Sequence, residues 1–241
     1  VSCFQNPKGT TMALDRRFKL LELAERHGFA IVEDDPYGEL RFRGQHLPSI
    51  AALDDGGRVV RLGSFSKTLA PGMRLGFVTG PKEVIRAMAV AKQACDLHTS
   101  TLSQRVVARL LRTFDYEAHL ERLRATYGER CDVMLRGLDL NMPAGTRWTR
   151  PDGGMFVWLQ LPDNLAAEDL FASAIADKVA FVPGSGFFAN EKRYDFMRLN
   201  FSNCQPAAIE EGMARLGRVV QRALVAERPA AGERGRGVVA V

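Results

Sequence analysis

The chain has 241 residues, 46% hydrophobic and 25% charged, with a net charge of +5. This length allows a sizeable core in one large or two small domains, and the composition is that of an ordinary soluble globular protein. No apolar run is long enough to span a bilayer, and the basic residues are too scattered for nucleic-acid binding to be expected.

The opening VSCFQNPKG has neither the basic start nor the apolar core of a signal peptide, and it starts without Met, which points to an N-terminal portion ahead of Val1. Asn6-Pro7-Lys8-Gly9 is a turn. Leu14, Phe18, Leu21 and Ala24 recur at helical spacing, and Gly28 ends that helix. Phe29–Val32 is an apolar run read as a buried strand, stopping at Glu33-Asp34-Asp35-Pro36-Tyr37. Arg58–Leu62 and Leu75–Thr79 are further strands, with the turn GSFSKTLAPGMR between them. Lys82–Leu97 and Ser100–Arg112 are helical, the second with a Ser/Thr cap. Strands alternating with helices predict an α/β sheet, mainly parallel, with ligands at the carboxyl ends of its strands.

Near Asp115 the character changes. Tyr116–Leu138 is a long charged helix. Thr146–Arg150, Met155–Leu161, Val179–Val182 and Phe196–Phe201 are strands, and Ala167–Ala176 and Pro206–Leu224 are helices. The expected division is a partial large domain over residues 1–113, a small α+β domain over 114–225 and a disordered tail over 226–241, which is rich in Gly, Ala and Arg.

The chemistry concentrates between Leu62 and Gly76. Lys67 stands among Ser64, Ser66 and Arg74, and two hydroxyls with a guanidinium can cradle a phosphate. A lysine beside a bound phosphate suits Schiff-base chemistry, so a pyridoxal phosphate lysine is one reading and a surface turn the other. Cys3, Cys95, Cys131 and Cys204 lack metal spacing and read as reduced cytoplasmic thiols. His27, His46 and His119 read as structural or surface residues, and no metal site is expected.

FQNPKG, VEDDPYGEL, SFSKTLAPGMRLGF, PDGGMFVWL and FMRLNFS occur in that order. Together they resemble fold-type I pyridoxal phosphate enzymes of the class I/II aminotransferase family. The closest likeness is to the branch of 2-aminoadipate and related aminotransferases, which also supplies the effector domain of MocR-type regulators. The resemblance covers roughly residues 1–224 and implies that the family's N-terminal part, including a wall of the site, lies upstream of Val1. It implies pyridoxal 5'-phosphate as cofactor and Lys67 as the residue that holds it and moves the proton. Asp34 would pair with the pyridine nitrogen, with Asp35 as the competing candidate. Tyr37 and Asn6 would hydrogen-bond the ring's phenolic oxygen. Ser64, Ser66 and Arg74 would bind the phosphate, and Arg198 the substrate α-carboxylate. Gly153-Gly154 would be the turn that brings the small domain near the site. His98–Gln104 resembles the loop that reaches a partner's cofactor in a homodimer with shared active sites, and is equally compatible with a helix cap. The implied reaction is transfer of an amino group between an α-amino acid and a 2-oxo acid. The alternatives are a β-lyase or decarboxylase on the same scaffold, or a ligand-sensing domain of a MocR-type regulator.

Overall fold

The computed structural model describes residues 1–162 and 164–226. Residues 227–241, which hold nearly all of the expected tail, lie outside them, and Ala226 closes the last helix.

The chain divides into two compact units, the first division falling within the long helix. The first holds Val1–Asp132, Thr149–Trp158 and Asn200–Asn203; the second holds Val133–Trp148, Leu159–Leu199 and the chain from Cys204. The reason lies in packing. Leu123 and Tyr127, in the first half of that helix, lie against a cluster of Cys3, Phe4, Tyr37, Leu40 and Phe156. An amphipathic pattern marks a buried stripe without naming what covers it.

In the first unit, helix α1 (Leu14–His27) ends at Gly28, whose left-handed backbone (φ 69°) turns its N–H back to the Ala24 carbonyl. The buried face of α1 is the expected one only in its second half. Ala24 is buried and Leu21 packs against its cluster, whereas Leu14 and Phe18 are exposed and Arg17 is fully buried. Arg17 donates to the carbonyls of Met12 (3.0 Å), Pro48 (2.7 Å) and Ser2 (3.4 Å) and to Cys3 Sγ (3.2 Å). A buried guanidinium persists only where its donors are spent in this way.

Strand β1 (Ile31–Asp34) follows and alternates, with Ile31 and Glu33 buried and Val32 and Asp34 exposed. The fully buried strand read from Phe29–Val32 is thus a half-buried one starting two residues later. Glu33 accepts from Ser2 Oγ (2.6 Å) and from the backbone N–H groups of Ile50 and Ala51 (3.0 Å each). Strand β2 (Val59–Ser64) starts where Asp54 accepts from the N–H groups of Arg58 and Val59. It pairs parallel with β1, Asp34 opposite Leu62. Strand β3 (Gly76–Thr79) pairs antiparallel with β2, so this three-stranded sheet is mixed. The β2–β3 connection holds the lysine turn and one 3-10 turn (Pro71–Met73), with no crossover helix of the kind parallel pairing needs. Helices α2 (Lys82–Asp96) and α3 (Thr101–Thr113) come next, and α2 has no buried residue.

Helix α4 (Tyr116–Asn141) supplies both units. A second, four-stranded sheet, most of it in the second unit, has the order β4 (Arg147–Trp148), β5 (Phe156–Gln160), β7 (Phe196–Asn200), β6 (Val182–Pro183). β4 is antiparallel to β5, and β6 to β7. Helices α5 (Ala167–Ala176) and α6 (Pro206–Ala226) complete the unit. Its core includes Leu138, Leu170, Met197, Leu199, Met213 and Leu216. Among the described residues no helix is long and apolar enough to cross a membrane.

Candidate active site

Asp34 is the last residue of β1 and Ser64 the last of β2, and the two strands are adjacent and parallel. Both residues therefore stand at the same, carboxyl end of the sheet, where ligands of α/β proteins gather. In the ladder Asp34 lies opposite Leu62, two residues before Ser64, so all three share one face. Asp34 is exposed there.

Asp35 is occupied elsewhere. Its carboxylate is buried and lies 2.9 Å from Arg61 Nη2. A carboxylate committed to a guanidinium has little to offer a second cation, whereas Asp34 is open. A cavity of about 250 Å³ opens on the Asp35 side, lined also by Arg61, Gly63, Phe77 and Tyr116. Ser64 lines it too, whereas Asp34, Lys67 and Arg74 do not.

Lys67 follows on a tight turn. Ser64 Oγ accepts from the Ser66 N–H (3.1 Å), and Leu69 and Ala70 both donate to the Phe65 carbonyl. Ser64 therefore shapes the turn and keeps its hydroxyl proton for a further acceptor. Lys67 and Ser66 are half-buried at its crest. The chain then passes through the 3-10 turn to Arg74, which caps it in left-handed backbone (φ 49°, ψ 44°). Non-glycine residues adopt that conformation at a cost, and such strain gathers at binding sites. Arg74 is exposed, with Nη1 3.5 Å from the Pro71 carbonyl.

The turn is held from the opposite side. Thr68, next to Lys67, is buried, and His119 Nε2 lies 2.8 Å from its carbonyl oxygen. The Tyr116 phenol is pushed above its ordinary 10.0 by burial, against a hydrogen bond with the Thr68 side chain that pulls it back. Sequence reading missed this support, because Thr68 and His119 stand 51 residues apart.

Asn6 sits on a loop closed by the Gln5 N–H to the Thr10 carbonyl (2.9 Å), with a cis bond to Pro7. The same segment supplies Cys3 and Phe4 to the cluster that holds Tyr37, whose ring meets Phe156 edge-on at 6.0 Å. Asn6 and Tyr37 thus belong to neighbouring, packed segments. Gly153 and Gly154 pack here as part of the first unit, beside Phe4 and Leu40. The Gly154 N–H donates to the Leu40 carbonyl (3.0 Å), and a Cβ on Gly153 would overlap the Phe4 ring.

Arg198 lies in the second unit, half-buried in β7 opposite Val182, with its guanidinium over the Phe187 ring at 5.2 Å. Ser100 caps α3, its Oγ accepting from the Ser103 N–H. The described residues contain no cluster fit to hold a metal ion.

Residues 1–216 match the family of class I and II aminotransferases. The chain belongs to that family. It is 43% identical over 221 residues to aromatic-amino-acid aminotransferase 1 of Thermococcus litoralis, covering 92% of this chain and 53% of the relative. It also superposes on a kynurenine aminotransferase of Pyrococcus horikoshii solved in complex with PMP. There the TM-score is 0.89 and the identity 46%, over 93% of this chain and 55% of that one. An alpha-aminoadipate aminotransferase of Thermus thermophilus, complexed with N-(5'-phosphopyridoxyl)-L-leucine, gives a TM-score of 0.90 at 42% identity. That match covers 94% of this chain and 59% of the other. The fold is thus that of the fold-type I aminotransferases, and the chain spans about half the length of the relatives it matches.

Proposed function

We propose that this protein is a pyridoxal phosphate-dependent aminotransferase that moves an amino group between an α-amino acid and a 2-oxo acid. The observation that carries the reading is the register of β1 and β2. It puts an open carboxylate, Asp34, and a serine-lysine turn at one sheet end.

The donor set fits the cofactor. Ser64, Ser66 and Arg74 offer hydroxyls and a guanidinium to a phosphate. The Asp34 carboxylate would hold a proton on the pyridine nitrogen. Asn6 and Tyr37 would donate to the ring's phenolic oxygen. The Lys67 amine would hold the cofactor at its carbonyl carbon and, once freed, would act as the base that moves the proton from the substrate's Cα to that carbon. Pyridoxal phosphate, when bound, supplies the electron sink for that step. Arg198 presents a planar fork of donors to the substrate's α-carboxylate. One amino acid would give up its amino group and leave as its 2-oxo acid, and a second 2-oxo acid would take that group in a ping-pong cycle. Relatives named for aromatic amino acids and kynurenine support the reaction class.

We further infer a cytoplasmic homodimer with shared active sites. Four free thiols, two of them exposed, suit a reducing compartment.

Absorbance of the purified protein with added pyridoxal phosphate tests the assignment. The long-wavelength band of a lysine-linked cofactor is expected in the parent and absent in Lys67→Ala. A parent without the band sinks the reading. Consumption of an amino donor only when 2-oxoglutarate is present separates transamination from lyase chemistry, which needs no acceptor.

A further inference from the structure

Thr68 follows Lys67 directly, and it is held by one helix turn. Its carbonyl oxygen is 2.8 Å from His119 Nε2, and it lines one cavity together with Tyr116. Tyr116 and His119 are three residues apart at the start of α4, so both project from the same face. The clamp is itself braced. The Tyr116 and His119 rings lie 6.4 Å apart at 30°, and the Phe114 ring packs 5.6 Å from the imidazole.

A carbonyl only accepts, so the proton of this bond is on His119 Nε2. On the other side of the lysine, Ser64 Oγ fixes the Ser66 N–H. Lys67 is thus flanked by two residues whose backbone polar groups are tied down by side chains from outside the turn's own backbone pattern. A lysine side chain has four rotatable bonds, so the backbone is where its direction can be set most economically.

We propose that His119, seconded by Tyr116, is a positioning residue for Lys67. By pinning the Thr68 carbonyl it fixes the backbone on the C-terminal side of the lysine and keeps the amine aimed at the cofactor's carbonyl carbon. This rests on the reading of Lys67 as the cofactor lysine.

His119→Phe removes the donor and keeps a ring against Phe114 and Tyr116. His119→Gln keeps a donor, and Tyr116→Phe removes only a hydroxyl. The readouts are melting temperature without cofactor, the dissociation constant for pyridoxal phosphate, and the pH midpoint of the lysine-linked absorbance band. His119→Phe is expected to weaken cofactor binding about threefold to tenfold, the worth of one hydrogen bond, and to move the midpoint. His119→Gln should recover most of both, and Tyr116→Phe should show a smaller change of the same kind. Cofactor affinity and midpoint equal to the parent's in a folded His119→Phe overturn the proposal. So does a loss that His119→Gln fails to reduce, because packing alone would then explain it. Should His119→Phe not fold, parent-like values in Tyr116→Phe, or a loss of cofactor binding of about tenfold or more in folded His119→Gln, count against it. A parent protein without the band would refute the cofactor lysine itself, a result separate from all of these.

Discussion

Asp34 and Asp35 are neighbours that face opposite ways: Asp34 is exposed at the end of β1, while Asp35 is buried 2.9 Å from Arg61 Nη2. The Asp35 N–H donates to the Leu62 carbonyl (3.0 Å), so the alternation of β1 carries one residue past its end. Asp34→Asn should therefore lower turnover by roughly tenfold to a hundredfold, the worth of a charge-assisted hydrogen bond, while leaving the melting temperature near the parent's.

The opposite pattern is expected for the ion pair. Arg61→Met leaves the Asp35 carboxylate buried without its partner and should cost about 3 kcal/mol in a denaturant titration. The double variant Arg61→Met with Asp35→Asn should recover part of that loss. A single variant as stable as the parent would show that Asp35 finds another partner.

Gly153 has no room for a side chain. A Cβ there would overlap the Phe4 ring and the Leu40 carbonyl, and the carbonyl cannot move aside as a flexible side chain could. Gly153→Ala should cost about 2 kcal/mol or more. Because Phe4 stands two residues before Asn6, the variant should also bind pyridoxal phosphate more weakly, measured by absorbance titration.

The thiols should divide into two classes. Cys95 and Cys204 are exposed, whereas Cys3 and Cys131 are buried, and burial pushes the Cys131 thiol up to about 11. A thiolate-specific reagent at neutral pH should label Cys95 and Cys204 promptly and the other two only after unfolding. Peptide mapping of the labelled protein reads this directly.

Asp195 gives the second unit a pH signature. Partial burial pushes its carboxyl up, but hydrogen bonds from Arg193 and Gln160 prevail and hold it below the ordinary 3.8. A depressed carboxyl stabilises the fold above its unfolded value and loses that contribution as pH falls through its folded value. Asp195→Asn should therefore melt earlier than the parent at pH 7, and the gap should narrow as the pH drops below about 4. Thermal melts across pH 3 to 7 would reveal it.

Much of this architecture was legible in the sequence, where one physical cause dominates. Helix α5 occupies Ala167–Ala176 as its amphipathic pattern indicates, and Gly28 stops α1 because its left-handed backbone suits glycine. Where several causes compete, pattern fails. Val179 and Phe181 are buried and apolar, yet the paired strand is Val182–Pro183; Val179 instead donates to Ala174 at the end of α5. Apolarity reports burial, not pairing. Arg17 was hidden for the converse reason: its stripe partner Ala24 marks the buried face, but a charged side chain there looks like solvent surface until its four acceptors are in place. Of the proposed site, the Lys67 turn and the strand-end Asp34 could be found by spacing. The support from His119 could not, because its partner Thr68 is 51 residues away.

Arg17 and Glu33 also determine how this region comes apart. Ser2 gives its hydroxyl proton to Glu33 and its carbonyl to Arg17, while Pro48 and the Ile50 and Ala51 amides complete the two shells. Opening any one of these strands of chain exposes an unpaired buried charge in the others. The loop bearing Asn6 and the strand bearing Asp34 should then exchange their amide hydrogens as a single cooperative block, losing protection together rather than by local fraying.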